Sequence, residues 1–209
     1  MTPDEFAAAA NVSRETLNRL LEMDRVLMEW SSRHNLIARS TVEARWRRHY
    51  LDSAQIAPLL PAGIRRLVDL GSGAGFPGLV LAAMLAEKDV GVTLIESTGK
   101  KAAFLAAAGE AMGLSSLKVI PARIESVRLP VPPDVVTARA LARLDKLLGY
   151  AHGIAGKSTR FFLPKGQDVE AELTEAAKSW HMEVIRHPSL TSPDATIVEI
   201  GNLARVRKR

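Results

Sequence analysis

The segment from residue 65 to residue 78 places a short apolar run directly before a cluster of glycines. Leu67-Val68-Asp69-Leu70 has the length and composition of a buried strand, and Gly71-Ser72-Gly73-Ala74-Gly75-Phe76-Pro77-Gly78 follows it. Glycine permits positive φ and lets the backbone approach a ligand without an intervening Cβ. A helical pattern begins at Leu79, and a glycine loop between a strand and a helix is the usual setting of a nucleotide-binding turn. The segment therefore predicts a ligand-binding βα unit.

Strand and helix patterns alternate along the rest of the chain. Further strands are predicted at residues 92–96, 117–120, 135–137, 160–163, 182–186 and 196–200, and an alanine-rich helix at 100–112. Strand–helix alternation with short connections is typical of a mostly parallel, doubly wound sheet. Such sheets bind ligands at the carboxyl ends of their strands, near the point where the strand order reverses. We therefore expect an α/β fold of the Rossmann-like type.

The chain before this alternation has helical patterning. Apolar residues recur at helical spacing after Ser13. Ser40 and Glu43 have the spacing of a capping box, which predicts another helix starting there. Prolines and a glycine then interrupt the pattern. We predict an N-terminal helical extension at residues 1–62 and a ligand-binding domain at residues 63–209.

Two kinds of nucleotide ligand compete for the glycine loop. A dinucleotide loop reads Gly-x-Gly-x-x-Gly, and its third glycine would stand where this chain has Phe76. Asp69 would repel a pyrophosphate but suits a ligand with a positive amino group and a sulfonium. Glu96 ends the second strand, where an acid binds ribose hydroxyls, although a solvated strand-end acid is the alternative. The loop resembles motif I of the class I methyltransferases, which implies S-adenosyl-L-methionine held by Asp69, Gly71, Gly73 and Glu96.

The chain contains no cysteine, and this restricts the reaction. Methylation at carbon 5 of a pyrimidine normally needs a cysteine nucleophile, and thiolate metal sites are excluded as well, so no metal is expected. Enzymes that methylate exocyclic amino groups commonly carry a Pro-Pro-aromatic motif after strand four, where this chain has Thr137-Ala138-Arg139-Ala140. Ring nitrogens and hydroxyls remain as acceptors. Guanine N7 has an available lone pair and needs positioning more than a general base.

Two basic residues follow the predicted strands four and five on the ligand side of the sheet. Arg139 and Lys165 would each orient a base or a phosphate there. The alternative for each is that its side chain binds a nearby loop carbonyl. We predict both as substrate-positioning residues of the catalytic site.

Basic residues also occur in three clusters within a chain of net charge +5: Arg33, His34 and Arg39; Arg45, Arg47, Arg48 and His49; and Arg205, Arg207, Lys208 and Arg209. Clustered cations attract a polyphosphate backbone, although they also simply solvate helix surfaces. The sequence has no stretch of about 20 consecutive apolar residues, so we predict no membrane-spanning helix. The N-terminus lacks the layout of a secretory signal, so we expect a cytoplasmic protein with no membrane partner.

Seven segments of this chain occur in the order found in one known family. They are Asn35-Leu36, Arg48-His49-Tyr50-Leu51-Asp52-Ser53, Asp69 to Gly78, Glu96-Ser97-x-x-Lys100-Lys101-x-x-Phe104-Leu105, Arg123-Ile124-Glu125, Arg139-Ala140 and Lys165-Gly166. Together they resemble the bacterial 16S ribosomal RNA guanine-N7 methyltransferases, the glucose-inhibited division protein B family. The resemblance covers most of the chain, including the helical extension.

The resemblance implies transfer of a methyl group from S-adenosyl-L-methionine to N7 of one guanine in the decoding region of 16S ribosomal RNA. The substrate would be the RNA or the small ribosomal subunit particle. By position, Gly71 and Phe76 would contact the cofactor, Ile124 and Glu125 would border its adenine, and Arg139 would reach the cofactor or acceptor side.

Several alternatives stay open at this point. The chain would otherwise be a class I methyltransferase acting on another RNA, a protein or a small molecule, a nicotinamide-dependent oxidoreductase, or a non-catalytic RNA-binding protein. Nothing in the sequence demands a dimer, so a monomer is expected. His49 and Asp52 either pack and cap within the extension or line the mouth of the site.

Overall fold

The computed structural model describes residues 1–206, and seven strands form one sheet within them. The strands are β1 (Arg66–Leu70), β2 (Gly91–Ile95), β3 (Leu117–Ile120), β4 (Val135–Ala138), β5 (Arg160–Lys165), β6 (Trp180–Pro188) and β7 (Thr196–Arg205). The helices are α1 (Pro3–Ala10), α2 (Arg14–Ser31), α3 (Asp52–Ala54), α4 (Gly78–Leu85), α5 (Gly99–Ala111), α6 (Leu144–Ala151) and α7 (Val169–Ala177). Each predicted strand is present, and the observed strands extend some of the predicted bounds by a few residues.

The strand order is β3-β2-β1-β4-β5-β7-β6. Strands β1 to β5 pair in parallel, and β7 pairs antiparallel with both β5 and β6. The strand order reverses between β1 and β4, and a doubly wound sheet opens a crevice at such a point. The mostly parallel, Rossmann-like α/β fold predicted from the sequence is confirmed.

Both faces of the sheet are covered, which explains why its strands are nearly continuous apolar runs. On one face, Leu67, Leu94 and Val135 pack with α4 and α5. On the other, Val68 and Val136 pack with α6 and α7. Successive side chains of each strand point to opposite faces of the sheet. The result is two hydrophobic cores, one on each face.

The N-terminal helices join the first of these cores. Thr2 caps α1 in a capping box with Glu5, and Ser13 caps α2. Phe6, Leu20 and Leu27 are fully buried in the same cluster as α4 and α5. The helices therefore form a further layer over one face of the sheet, and the domain boundary at residue 62 stays a prediction. Within residues 1–206, no helix has the length and apolarity to cross a membrane.

The prediction of a helix that starts at Ser40 is wrong. Residues Arg39–Thr41 form a single 3₁₀ turn, and the following helix is a π-helix at Trp46–Leu51 that leads into α3. The polar groups of this turn are satisfied by other contacts: the Thr41 hydroxyl donates to the carbonyl of Ala38, and Arg45 donates to the carbonyl of Val42 and to Asp24. These contacts replace the predicted cap.

A glycine at the start of α4 tests how tightly the loop packs on the sheet. A Cβ at Gly78 would collide with the side chain of Leu94 and lie 2.7 Å from Oδ2 of Asp69. We expect Gly78→Ala to lower the free energy of unfolding by about 1–3 kcal/mol, because overpacking forces its neighbours to move. Urea unfolding measures this change.

Gly149→Ala is the matched control: no atom approaches that position in α6, so we expect the free energy of unfolding to rise by roughly 0.5–1 kcal/mol. Equal effects of the two substitutions would contradict this packing.

Candidate active site

The glycine loop is pinned to the end of the neighbouring strand. The backbone N–H groups of Gly71 and Ser72 donate to the carbonyl of Ile95 at 2.8 and 3.2 Å. Gly71 has φ of 62°, and a Cβ there would lie 2.5 Å from Cδ1 of Leu141. Only glycine combines this backbone conformation with this approach. The loop is therefore held close to the chain that follows β4.

Asp69 lies beneath the loop and is fully buried. Its Oδ1 accepts a hydrogen bond from the Thr137 hydroxyl at 2.8 Å, while Oδ2 has no hydrogen-bond partner. Burial raises the pKa of Asp69 to about 6, and the Thr137 hydroxyl and the charge of Arg139 oppose that rise. An unsatisfied carboxylate oxygen in a core is costly. Asp69 thus holds a charge next to the loop without lining the cavity.

Glu96 ties the loop to the segment after β2. Its Oε2 accepts from the N–H of Gly73 at 2.9 Å, and its Oε1 accepts from the N–H of Thr98 at 2.7 Å. The side chain is 6% exposed. A carboxylate has further acceptor capacity beyond two bonds, so Glu96 can accept from a ligand while it orders the loop.

A cavity of about 280 Å³ opens at this edge of the sheet. Its lining includes Gly71, Gly73, Glu96, Ile124 and Glu125. Five of the predicted cofactor residues, drawn from three separate loops, therefore meet at one site. We name it the cofactor cavity.

A second cavity of about 470 Å³ adjoins the first. Its lining includes Asp52, Gln55, Arg139, Lys165, Glu172 and Ser189. Ala140 and Leu141 line both cavities. Ala140 has φ of 52°, a left-handed conformation that costs a non-glycine residue roughly 1 kcal/mol or more. We name this second space the acceptor cavity.

Arg139 lies at the junction of several elements. Its Nη1 donates to Oδ2 of Asp52 at 3.1 Å and to the carbonyl of Arg48 at 3.2 Å. Its guanidinium carbon lies 5.2 Å from the centre of the Phe76 ring, within reach of a cation–π interaction. The Arg139 and Asp52 side chains are 19% and 18% exposed. Arg139 therefore binds a carbonyl of the π-helix and also lines the acceptor cavity.

His49 is held as a neutral ring. Its Nδ1 lies 3.2 Å from Nη2 of Arg139, and its Nε2 lies 3.0 Å from the Thr41 hydroxyl. Because arginine can only donate, Nδ1 accepts and the proton resides on Nε2. Burial and the charge of Arg139 lower the pKa of His49 to about 4. The ring stacks on Phe76 with centroids 5.1 Å apart, so His49 both packs in the extension and supports the site.

Lys165 is bound by a carboxylate at the far side of the acceptor cavity. Its Nζ lies 2.8 Å from Oε2 of Glu172, which also accepts from the N–H of Leu144. Its Nζ donates to the carbonyl of Ala142 at 3.3 Å. Lys165 is therefore a paired cation in the cavity wall.

The predicted site residues divide between the two cavities. Arg139 and Lys165 line the acceptor cavity, whereas Asp69 and Phe76 are buried beside the cofactor cavity and line neither. Sequence reasoning missed Gln55, Glu172 and Thr191, which form hydrogen bonds at this site. Thr191 lies 139 residues from its partner Asp52, and no local pattern indicates such a contact. Across residues 1–206, no cluster of histidine and carboxylate side chains is suited to a metal ion.

The basic clusters are only partly available to a polyphosphate. Arg45 forms two hydrogen bonds with Asp24, at 2.7 and 2.8 Å, and His49 is neutral. Arg47 and Arg48 are exposed, and the carbonyl of Arg48 accepts from Arg139, which lines the acceptor cavity. Arg205 packs over the ring of Trp180 at 5.1 Å. The remaining members of the C-terminal cluster, Arg207 to Arg209, lie outside the described residues.

The buried carboxyl group of Asp69 makes stability depend on pH. Its pKa is about 6 in the folded chain against 3.8 for the free group, so the folded state binds a proton that the unfolded state has lost. Stability from this group is complete below about pH 4 and falls as the pH rises through 6. Asp69→Asn removes the loss. We expect the variant to gain roughly 2–3 kcal/mol relative to the unsubstituted chain between about pH 4 and pH 8.

Urea unfolding at a series of pH values measures this gain. His49 titrates in the opposite direction over part of the same range, but it is present in both proteins and cancels in the difference. Parallel stability profiles for the two proteins would show that Asp69 does not carry a raised pKa.

The chain has relatives and structural neighbours that bear on these cavities. A ribosomal RNA small subunit methyltransferase G from Paramagnetospirillum magneticum is 46% identical over 207 residues, which are 99% of this chain and 98% of the relative. The protein of the same name from Rhodospirillum rubrum is 46% identical over 207 residues, 98% of this chain and 100% of the relative. A solved S-adenosylmethionine-dependent methyltransferase from Aquifex aeolicus superposes with a TM-score of 0.57 at 15% identity, over 75% of this chain and 92% of that chain.

The distant structural likeness shows the fold alone, whereas the sequence relatives match this chain nearly end to end. A family model described as rRNA small subunit methyltransferase G matches residues 15–198, which include most of the helical extension, the glycine loop and both cavities. The chain therefore belongs to the GidB family of rRNA small subunit methyltransferases.

Proposed function

We propose that this protein transfers a methyl group from S-adenosyl-L-methionine to N7 of a guanine in 16S ribosomal RNA. The observation that carries the proposal is the pair of adjoining cavities, which share Ala140 and Leu141, with Arg139 in the acceptor cavity next to Ala140. A cofactor and a base placed in them would meet at the carboxyl ends of the central strands, where doubly wound sheets bind ligands. Membership of a family of rRNA small subunit methyltransferases supplies the acceptor class.

The cofactor cavity fits S-adenosyl-L-methionine by its lining. Gly71 and Gly73 present backbone without a side chain, and the nearly buried carboxylate of Glu96 faces the same space. In this proposal Glu96 accepts from the ribose hydroxyls, while Ile124 and Glu125 border the adenine. Asp69 acts through its charge beneath the loop, Phe76 packs beside the cavity, and Arg139 stands on the acceptor side. The bound cofactor supplies an electrophilic methyl group on a sulfonium.

The pairing of charges in the acceptor cavity favours an acceptor atom with an available lone pair. Asp52 is paired with Arg139, and Glu172 is paired with Lys165. One oxygen of each carboxylate already accepts a hydrogen bond from its cation. His49 is already bonded at Nδ1. Guanine N7 needs no deprotonation before it attacks, so orientation and exclusion of water are the tasks left to these residues.

The rim of the acceptor cavity supports an extended RNA acceptor. Arg47 and Arg48 are exposed: the Arg47 side chain donates to the carbonyl of Thr191 in the β6–β7 loop, and the carbonyl of Arg48 accepts from Arg139. Cations placed there would neutralise phosphates flanking the target base and make binding salt-dependent. We infer that a single guanine of the decoding region enters the cavity, that the RNA is presented within the small subunit or its precursor particle, and that a cytoplasmic monomer performs the reaction.

Methyl transfer from radiolabelled cofactor tests the proposal directly. The acceptors are small-subunit ribosomal RNA and small-subunit particles from a strain that lacks the modification, and the labelled base is then mapped. Label on N7 of one guanine is the expected result. Transfer to a different atom or to protein would overturn the assignment of the acceptor, and a lack of cofactor binding in calorimetry would overturn the assignment of the first cavity.

Arg139→Lys should lower the rate of methyl transfer by about a hundredfold, since positioning of the reacting groups carries most of the acceleration. Lysine keeps the charge beside Asp52 but lacks the planar fork that reaches His49 and Phe76. The matched control is Arg25→Lys, an exposed residue of α2 paired with Glu22 and Glu29, which should retain full activity. The assay uses subsaturating cofactor and RNA, with thermal melting to compare stability. Full activity of the Arg139 variant would refute its role.

A further inference from the structure

Side chains of the N-terminal extension hold the loop between β6 and β7. Thr191 donates through its hydroxyl to Oδ1 of Asp52 at 2.7 Å. The N–H of Leu190 donates to Oε1 of Gln55 at 2.7 Å. Arg47 donates to the carbonyl of Thr191 at 3.3 Å. Three residues of the extension thus hold a loop that lies more than 130 residues away along the chain.

Gln55 is the most buried member of this attachment, with 6% of its surface exposed. Its amide nitrogen donates to Oδ1 of Asp52 at 3.0 Å and lies 3.3 Å from the Ser189 hydroxyl oxygen. Its amide oxygen accepts from Leu190. The side chain therefore uses both of its polar ends on the loop and on Asp52, and its orientation is fixed by them.

The two oxygens of Asp52 serve different partners. Oδ2 binds Arg139, while Oδ1 binds Thr191 and Gln55. The same carboxylate therefore connects the loop to the cation at the junction of the two cavities. Hydrogen bonds to a charged group are stronger than those between neutral groups. A shift of the loop would therefore also change the position of Arg139.

The attached loop forms one wall of the acceptor cavity. Asp52, Gln55, Ser189 and Ala195 all line this cavity, and none of them lines the cofactor cavity. A change in the attachment should therefore alter the space that receives the acceptor and leave the glycine loop unchanged. We name Asp52, Gln55 and Thr191 the wall clamp.

We propose that the wall clamp positions the RNA acceptor. It fixes the β6–β7 loop as a wall of the acceptor cavity and keeps Arg139 at a fixed position relative to that wall. This proposal rests on the proposed function, because it takes the acceptor to be RNA. Thr191 is a positioning residue that acts through Asp52, and its hydroxyl sets how well the acceptor binds.

Thr191→Val separates the wall from Arg139, because valine has nearly the same shape and leaves the Asp52–Arg139 pair intact. We expect KM for the small-subunit acceptor to rise about tenfold, the ratio that corresponds to loss of one hydrogen bond to a charged group. We expect kcat to change less than about twofold, because the variant leaves the Asp52–Arg139 pair intact. Calorimetry should give an unchanged Kd for S-adenosyl-L-methionine. Thr191→Ser retains the hydroxyl and should restore the KM of the unsubstituted protein.

Thr174→Val is the matched control, because that hydroxyl bonds only to the carbonyl of Glu170 on the exposed side of α7. It should leave KM unchanged. If Thr191→Val does not fold, Ser189→Ala removes the hydroxyl oxygen beside Gln55 and Thr191 and should raise KM in the same way. Asp52→Asn weakens both branches and should lower kcat as well as raise KM.

The outcomes distinguish the clamp from the function on which it rests. If the unsubstituted protein binds S-adenosyl-L-methionine but methylates no ribosomal acceptor, the proposed function fails, and the clamp fails with it because it takes the acceptor to be RNA. If it does methylate the acceptor, an unchanged KM in Thr191→Val, or an equal defect in Thr191→Val and Thr191→Ser, overturns the clamp. A weaker cofactor Kd in Thr191→Val would also overturn it, because the clamp would then act on the wrong cavity.

Discussion

The ion pair between Arg139 and Asp52 is the contact on which the two cavities depend. It joins the residue after β4 to the first residue of α3, directly after the π-helix, and both side chains are largely removed from solvent. Removing one member of such a pair leaves an uncompensated charge, which costs more than the pair contributes. The remaining contacts of Arg139, with the Arg48 carbonyl, His49 and the Phe76 ring, complete its partners. One guanidinium therefore connects the extension, the glycine loop and the acceptor side.

The fold was largely predictable because its signals are local. Short apolar runs marked the strands of the parallel part of the sheet, and the loop from Gly71 to Gly78 marked the switch point. The helix expected at Ser40 failed because Arg45 bonds to Asp24, 21 residues away, a group that a local pattern does not include. Thr41 and Arg45 also bond to the carbonyls of Ala38 and Val42 within the turn. Propensity is a weak guide where tertiary hydrogen bonds satisfy a turn.

The candidate site was predictable in part. Residues that follow strands, such as Glu96 and Arg139, were found because the carboxyl ends of parallel strands meet at one edge. The partners that fix them were not found, since Thr191 and Glu172 stand in segments with no distinguishing motif. His49 and Asp52 were noticed but unexplained, and the structure gives each of them a contact with Arg139. The assigned roles of the site residues stay proposals.

The separation of Asp52 and Thr191 by 139 residues has a consequence for biosynthesis. The strands, loops and acid that form the cofactor cavity lie mostly within residues 71–150, whereas the hairpin that closes the acceptor cavity is made near the end of translation. Contacts between distant segments form late, because their loop-closure entropy is paid before they stabilise the chain. A nascent or C-terminally shortened chain would therefore form its cofactor cavity before the wall of its acceptor cavity. The order of synthesis thus delays the binding of RNA until the hairpin of β6 and β7 has packed against the rest of the chain.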